Sequence, residues 1–188
     1  MSEATVTNIV IAGLGGQGIV TASDILANAA FAAGHDVKKS EIHGMSQRGG
    51  SVSSDVRFGP RVHSPMVPHA EADFLLISDT SQVTPNRHRL HPQGRLITPE
   101  AVPQLFQDED PERAARAARM VNTALLGVLS AHLETIPETL WLDAIREHLP
   151  ECLHEMNSRI FRQSRAIEVI FGSLDPNPSP RATQPGSQ

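Results

Sequence analysis

Residues 8–18 read Asn-Ile-Val-Ile-Ala-Gly-Leu-Gly-Gly-Gln-Gly, and this stretch decides the fold of the 188-residue chain. Its first five residues form a short apolar run rich in β-branched side chains, which predicts a buried strand. Gly13, Gly15 and Gly18 then match the pattern G-x-G-x-x-G. From Ile19 onward, apolar residues recur at helical spacing. A strand, a glycine turn and a helix in this order are typical of the opening of a doubly wound α/β fold.

The patterning of the rest of the chain predicts further strands and helices. The Gly59-Pro60 pair predicts a hairpin turn before a short return strand at 61–64, and a second turn is expected at 91–94. A short helix or irregular segment is expected at 80–90. The remaining predicted strands span 36–42, 51–58, 74–77 and 95–97, and the predicted helices span 19–33, 112–132, 137–149 and 153–171. The sequence therefore predicts an α/β fold, with a mostly parallel, Rossmann-like sheet flanked by helices and a helical C-terminal part.

The chain is expected to form one domain followed by a tail. At about 150 residues per domain, its length predicts a single elaborated domain. We expect this α/β domain to span 1–172, with a polar connector at 99–111 and helices from about residue 112. The stretch 173–188 is polar and proline-rich, so it is expected to be a disordered tail.

The composition argues against several classes of protein. The 16 basic and 21 acidic residues give a net charge of −5, which is not typical of a general nucleic-acid binder. The one cysteine, Cys152, excludes an internal disulfide and cannot by itself ligate an iron–sulfur cluster. The nine histidines form no HxH or HxxxH pair, so we expect no metal site. No apolar run is long enough for a membrane span and no leader is recognisable, so we expect a cytoplasmic protein.

The glycine turn is a candidate anion-binding site. Residues without a Cβ let backbone N–H groups and a helix N-terminus approach a phosphate closely. The candidates for contact with a cofactor are accordingly Gly13, Gly15, Gly16, Gln17 and Gly18. Three interpretations of the turn stay open at this point: a dinucleotide site, a site for another phosphate or anion, and a purely structural tight turn.

The dinucleotide interpretation makes a further demand on the sequence. It requires an acidic residue about 20 residues further on, at the end of the second strand, to hold the ribose. Asp36 has the right spacing but begins that strand, whereas Glu41 lies at its end but comes late. Lys38 and Lys39 could instead hold a 2′-phosphate. The sequence alone does not choose between these residues.

The loop from His43 to Gly50 is the second candidate site. It follows a predicted strand, and open α/β sheets place their ligands at such strand ends. Arg48 could hold a carboxylate or phosphate through two hydrogen bonds, and His43 could exchange protons near neutral pH. Further candidate contacts come from Ser46, Gln47 and Gly49. No nucleophile with a base partner is visible, so no residue is assigned as catalytic, and contact with another protein would explain the loop equally well.

Polar residues interrupt the apolar stripes of the second half of the chain. Asn122 and Thr123 lie within one helical stripe, and Asn157 lies near the start of the last helix. Because a buried asparagine must find hydrogen-bond partners, we expect these side chains to tie helices to their neighbours. Asn122 is also a candidate for contact with a cofactor. Cys152 has only His154 as a nearby cationic residue, so it is expected to be packed or idle rather than reactive.

Two of these motifs together resemble the gamma domain of 2-oxoacid:ferredoxin oxidoreductases. The first is Gly13-Leu14-Gly15-Gly16-Gln17-Gly18, and the second is the Glu-Ile-His-Gly-Met-Ser-Gln-Arg-Gly-Gly-Ser-Val stretch at 41–52. Further similar segments are Val56-Arg57-Phe58, Ser64-Pro65, Asn-Thr-Ala-Leu-Leu-Gly at 122–127, and Asn157 followed by Phe161. The resemblance covers roughly 7–171, and indolepyruvate-type enzymes are the most similar. Ile160 departs from the small residue that usually precedes this phenylalanine, a difference that concerns packing.

The resemblance implies an indirect role in catalysis. Enzymes of this family oxidatively decarboxylate a 2-oxoacid to an acyl-CoA and pass the electrons to ferredoxin. The implied thiamine diphosphate and iron–sulfur clusters lie in a large partner subunit, and coenzyme A is a co-substrate. This chain would then bind none of these cofactors alone and would be inactive without its partner, in a hetero-oligomer that binds neither nucleic acid nor membrane. The alternatives are a stand-alone NAD(P)-binding or other nucleotide-binding protein and a non-catalytic scaffold or regulatory module.

Overall fold

The computed structural model describes residues 6–44, 49–106 and 119–167. These ranges contain one five-stranded sheet with helices packed on it. The strands are β1 (Thr7–Leu14), β2 (Asp36–His43), β3 (Ser51–Gly59), β4 (Ala72–Ile77) and β5 (Leu90–Ile97). The helices are α1 (Ile19–Ala32), α2 (Val83–Asn86), α3 (Val121–Ser130), α4 (Glu138–His148) and α5 (His154–Arg165). Short 3₁₀ turns occupy Thr80–Gln82, Arg87–Arg89, Pro99–Ala101, Pro103–Phe106 and Glu151–Leu153.

The sheet is mixed, with the strand order β2-β3-β1-β4-β5. β4 is parallel to both β1 and β5, whereas β3 is antiparallel to both β1 and β2. The α/β class, the flanking helices and the helical C-terminal part are confirmed, but the expectation of a mostly parallel sheet needs correction. The cause is the short connection at 44–50 between β2 and β3, since a parallel crossover needs about a dozen residues or more.

The hairpin predicted at Gly59-Pro60 is wrong. The residues that follow at 61–64 form no strand. The backbone N–H of Val62 instead donates to Asp36 at 2.7 Å, and that of Val67 donates to Asp55 at 2.9 Å. These two carboxylates hold the connection as an irregular segment against the sheet, which satisfies backbone groups that a strand would have paired.

The turn predicted at 91–94 is also wrong, because β5 runs through it. β5 is the last strand of the sheet, so one of its edges has no strand partner among the described residues. Proline is tolerated on such an edge, since its missing N–H breaks no ladder bond there. Gly94 lies so close to β4 that a Cβ would come within 2.5 Å of the carbonyl oxygen of Ala72. The proline and glycine thus permit an irregular edge strand rather than a turn.

The core lies on both faces of the sheet. Successive side chains of a strand point to opposite faces, and Ile9 and Ile11 of β1 pack against α1 and the C-terminal helices. Val10 and Ala12 point to the other face, where Val83 of α2 packs beside them. The apolar run at the start of the chain is therefore buried on both sides, as a central strand requires.

The C-terminal helices pack tightly on one another. All ten residues of α3 are buried, and the rings of Trp141 and Phe161 lie 5.7 Å apart between α4 and α5. The helix predicted at 137–149 is confirmed as α4. Of the helices predicted at 112–132 and 153–171, the structure describes α3 and α5, and 107–118 and 168–188 lie outside the described residues, as does the expected tail. No helix in the described ranges combines the length and the apolarity needed to cross a membrane.

Candidate functional site

The two sequence motifs meet at one edge of the sheet. Gly13 of β1 is opposite Val52 of β3, and Val52 is opposite His43 of β2, so these residues form one row across three strands. Beyond this row, the backbone N–H of Gly15 donates to the carbonyl oxygen of Gly50 at 2.8 Å. The glycine turn is thus joined directly to the end of the loop 43–50. The structure brings together two segments that sequence analysis could only place separately.

This edge is also a topological switch point. The chain leaves β1 toward α1 on one face of the sheet, whereas it leaves the neighbouring parallel strand β4 toward α2 on the other face. Two connections that diverge from adjacent parallel strands open a crevice between them, which is where open α/β sheets bind ligands. The fold therefore indicates the ends of β1 and β4 as the centre of the candidate site.

The side chain of Gln17 fills this crevice. Its Oε1 accepts hydrogen bonds from the backbone N–H of Leu14 at 2.8 Å and from the hydroxyl of Ser78 at 3.1 Å. Its Nε2 donates to Oδ2 of Asp79 at 3.1 Å. A single glutamine thus links the glycine turn to the end of β4. Ser78 and Asp79 were missed by sequence analysis, since only their position after the predicted strand at 74–77 could have indicated them.

Asp79 places a negative charge beside the glycine turn. The hydroxyl and the backbone N–H of Ser81 donate to its Oδ1 at 2.6 and 3.0 Å. The pKa of Asp79 is held below its ordinary value of 3.8. The largest cause is the hydrogen bond from the Ser81 hydroxyl, followed by those from the Ser81 backbone N–H and the Gln17 amide. The carboxylate is therefore ionised at neutral pH. A phosphate placed between Gln17 and Ser78 would be repelled by it.

The turn itself offers few free backbone donors. The N–H groups of Leu14, Gly15 and Gln17 already donate within the turn or to Gly50. Gly18 begins α1 in the left-handed conformation, with φ of +78°, and no side chain among the described residues caps this helix. The unpaired first amides of a helix and its dipole attract anions. An anion at this edge would therefore be held at the start of α1 rather than inside the turn.

The arrangement does not favour a dinucleotide. β3 lies between β1 and β2, so the end of β2 is about 10 Å from the glycine turn rather than adjacent to it. Asp36 holds the N–H of Val62, and the ammonium group of Lys39 pairs with Asp24 and Glu41. The residues considered for a ribose or a 2′-phosphate are thus engaged elsewhere. The structural interpretation of the turn fits this geometry better.

The buried asparagines form hydrogen bonds that connect helices to neighbouring segments, as expected from the sequence. Asn122 of α3 donates to the carbonyl oxygen of Gln17, which fixes the start of α1 against α3. The hydroxyl of Thr123 donates to Asn157 at 2.7 Å, and Asn157 donates to the carbonyl oxygen of Leu153 at 2.9 Å. These bonds connect the glycine turn through α3 to α5. Asn122 stays a prediction as a residue that contacts a cofactor.

The remaining candidates are placed as follows. His43 is exposed, with Nε2 3.4 Å from Oε2 of Glu41. Gly49, with φ of +68°, lies beside the turn. Ser46, Gln47 and Arg48 lie outside the described residues, so their roles stay predictions. Within the described ranges, no three histidine, cysteine, aspartate or glutamate side chains are arranged to hold a metal ion.

The fold is shared with solved oxidoreductase structures. The chain superposes on the gamma subunit of a keto/oxoacid ferredoxin oxidoreductase from Geobacter sulfurreducens PCA with a TM-score of 0.68 and 20% identity, covering 86% of this chain and 95% of that one. It also superposes on a 2-oxoglutarate:ferredoxin oxidoreductase from Magnetococcus marinus with a TM-score of 0.72 and 21% identity, covering 88% of this chain and 31% of that one. At these identities the similarity establishes a shared fold, that of an oxidoreductase gamma domain.

Sequence comparison then gives the family. The family model described as pyruvate ferredoxin/flavodoxin oxidoreductase matches residues 8–167, so the chain belongs to this family. An indolepyruvate oxidoreductase subunit IorB from Methanothermobacter thermautotrophicus is 33% identical over 188 residues, covering 82% of this chain and 94% of that protein. A protein of the same description from Thermococcus kodakarensis is 56% identical over 69 residues, covering 37% of this chain and 34% of that protein. The resemblance inferred from the two motifs is confirmed.

Proposed function

We propose that this chain is the small subunit of a 2-oxoacid:ferredoxin oxidoreductase that acts on indolepyruvate or a related arylpyruvate. The observation that carries the proposal is the similarity to an indolepyruvate oxidoreductase subunit along almost the whole of both proteins. The family match over 8–167 and the gamma-subunit fold support it. The preference for an arylpyruvate rests on the names of the relatives, whereas the reaction class rests on the family.

The chain supplies structure rather than redox groups in this proposal. A cluster of the ferredoxin type needs four cysteine ligands, and this chain has one cysteine. The clusters and the thiamine diphosphate therefore lie in a larger partner subunit, which also passes electrons to ferredoxin. Thiamine diphosphate supplies the carbanion chemistry of decarboxylation when it is bound. The assembled enzyme works in the cytoplasm, and this chain alone is inactive.

We assign the sheet edge formed by the glycine turn and the loop 43–50 to contact with coenzyme A or the partner's cofactor region. Gly15 and Gly50 are hydrogen-bonded there, so the glycine turn and the end of the loop present one continuous surface. Arg48, two residues before Gly50 in the sequence, supplies the guanidinium that a phosphate of coenzyme A would require. His43 lies at the same edge, and in this proposal it carries protons.

An Arg48→Ala variant tests this assignment in the reconstituted enzyme. Loss of a hydrogen bond to a charged group costs about 1.5–3 kcal/mol, so we expect the KM for coenzyme A to rise about tenfold or more. Assembly with the partner should be unchanged. Arg146→Ala is the matched control, because Arg146 is an exposed arginine on α4 whose partner is Asp143. An unchanged KM and turnover in Arg48→Ala would disprove the contact.

The subunit proposal itself is tested by purification from the native cells. The tagged chain is captured without oxygen, its co-purifying chains are identified by mass spectrometry, and iron and thiamine are quantified. We expect a large cysteine-rich partner with thiamine diphosphate, and oxidation of arylpyruvates dependent on coenzyme A and ferredoxin. A monomer or homodimer that brings no partner would contradict the proposal. A partner whose activity survives removal of this chain would point to a scaffold instead.

A further inference from the structure

A cavity of about 450 Å³ lies between the helices, next to Gln17 and Gly18. It is partly open to solvent and is lined by the first turns of α1, the start of α3 and the segment that leads into α5. Cavities of about 300–1,000 Å³ are typical of small-molecule sites. Its apolar wall includes Ala22, Ile25, Leu126, Leu149, Leu153 and Met156. The side chain of Leu153 in this wall is 40% exposed, whereas most large apolar side chains in the described residues are buried.

The cavity has a rigid polar end. Asn122, Thr123 and Asn157 all line it, and all three are more than nine-tenths buried. Each is fixed by the hydrogen bonds that tie α3 to Gln17 and to α5. A ligand would therefore meet side chains that are already ordered, which lowers the entropy cost of binding. The cavity is a preformed site rather than a gap that repacking could close.

The electrostatics of the cavity favour an anion. Gly18 and Thr21 bring the uncapped, positive end of the 14-residue helix α1 to the cavity wall, and Arg119 adds a full positive charge. No aspartate or glutamate is among the described residues that line it. This is notable in a chain whose net charge is −5. A positive end and an apolar wall together match a ligand with one anionic group on an apolar body.

We infer that this cavity binds a carboxylic acid with an apolar alkyl or aryl body. The carboxylate lies against the start of α1 and Arg119, and the body packs along Ile25, Leu126 and Met156. The inference does not rest on the proposed function, because every group it uses belongs to this chain. A failed assembly experiment would leave it standing, and a failed binding experiment would leave the subunit proposal standing.

Cys152 provides the measurement, because this sole cysteine is exposed and lines the cavity. The rate at which a chromogenic disulfide reagent modifies Cys152 is measured on the full chain, with increasing decanoate below its micelle concentration. We expect saturable protection, with modification at least about fivefold slower, and much weaker protection by decan-1-ol, which has the same body without the charge. Absence of protection, or equal protection by the alcohol, would overturn the inference. Protection by desulfo-coenzyme A, which lacks the thiol that would consume the reagent, but not by decanoate would also overturn it.

Two variants locate the binding, and decanoate affinity is measured for them by calorimetry. Leu153→Trp places a bulky indole ring in the cavity wall at a partly exposed position. We expect it to fill the cavity and abolish decanoate binding. Arg119→Gln removes the charge at an exposed position, and we expect about a fivefold weaker affinity. Phe31→Ala is the control for adhesion to exposed apolar surface, since Phe31 is 70% exposed at the other end of α1. Binding lost in Phe31→Ala, or kept in a folded Leu153→Trp, would refute the site.

Discussion

Asp55 shows how a single buried charge is held in this molecule. It is fully buried on β3, and Nη2 of Arg89 lies 2.7 and 2.6 Å from its two carboxylate oxygens. The backbone N–H of Val67 also donates to it. A buried ion pair adds little stability over an apolar pair of the same size, but removal of one partner leaves an uncompensated charge. The pair therefore acts as a constraint that fixes three segments against the sheet.

Replacing Arg89 should accordingly be costly. We expect Arg89→Met to lower the free energy of unfolding by about 3–5 kcal/mol, because the buried carboxyl group of Asp55 would lose its cationic partner. Arg146→Met is the control, since Arg146 and Asp143 form an exposed pair on α4 and such pairs contribute about 0–1 kcal/mol. Urea denaturation of both variants measures the difference. Similar losses in the two variants would show that burial of Asp55 has no energetic consequence.

His132 is a residue whose protonation opposes folding. Burial, and then the positive charge of Arg95, lower the pKa of His132 below its ordinary value of 6.5. Nη1 of Arg95 lies 2.6 Å from Nδ1, which must therefore accept the hydrogen bond. The unfolded chain takes up a proton near pH 6.5, whereas the folded chain takes it up only at lower pH. The folded state is therefore unaffected by this protonation above pH 6.5, and it loses stability as the pH falls below that value, because the unfolded chain then binds the proton more tightly at His132.

The corresponding experiment compares stability at two pH values. We expect His132→Gln to lose less stability than the natural protein between about pH 7.5 and about pH 5.5, because glutamine can accept from Arg95 without taking a proton. Chemical denaturation at both pH values measures this. His63→Gln is the control, since His63 is exposed. The same pH dependence in His132→Gln and the natural protein would contradict the assignment.

At the scale of elements, two helices approach each other closely at Gly127. A Cβ there would lie 2.4 Å from the carbonyl oxygen of Phe161 and 3.2 Å from the backbone nitrogen of Arg165. Both atoms belong to the backbone of α5, so a rotamer change cannot make room. Glycine at this position allows α3 and α5 to touch backbone to backbone, and this contact sets their distance.

Two effects of a Gly127→Ala substitution have opposite signs. Alanine stabilises the middle of a helix by about 1 kcal/mol relative to glycine, whereas overpacking of a tight core typically costs about 1–3 kcal/mol. Because the clash involves backbone atoms, we expect the cost to exceed the gain and the melting temperature to fall. Gly15→Ala adds the same methyl group where the nearest atom is 3.5 Å away, so its stability should change little. An unchanged or higher melting temperature for Gly127→Ala would refute the packing argument.

The elements that could be predicted are those with a strong local pattern. The apolar run before the glycine turn, the helix after it and the helix at 137–149 all follow from periodicity over neighbouring residues. Pairing between strands has no such signal: nothing local shows that β3 inserts between β1 and β2. The same limit explains the site, since Ser78 meets Gln17 only after β4 has aligned with β1. Pro92 and Gly94 led to the wrong prediction of a turn at 91–94, because an edge strand such as β5 tolerates both residues.

At the scale of the whole molecule, the strand order predicts a response to nucleotides. With β3 between β1 and β2, no acidic side chain at the end of β2 lies beside the glycine turn. We therefore expect NAD and NADP to leave the melting temperature of the full chain unchanged. A ligand at 100 times its Kd would stabilise the folded state by about 2.7 kcal/mol, which thermal unfolding readily detects. A saturable rise with either nucleotide would restore the dinucleotide interpretation.

The central position of β1 in the sheet has a consequence for folding during synthesis on the ribosome. Ile9 pairs with Val56 on one side and Phe74 on the other, so β1 is synthesised well before either of the strands that flank it in the sheet. At about 5–20 residues per second, a ribosome needs roughly 3–13 s to make the chain between Ile9 and Phe74. During that interval the apolar residues of β1, which the folded protein buries, have no sheet to join. Shielding by a chaperone while the chain emerges should therefore raise the yield of folded protein, most of all at temperatures where synthesis is slow.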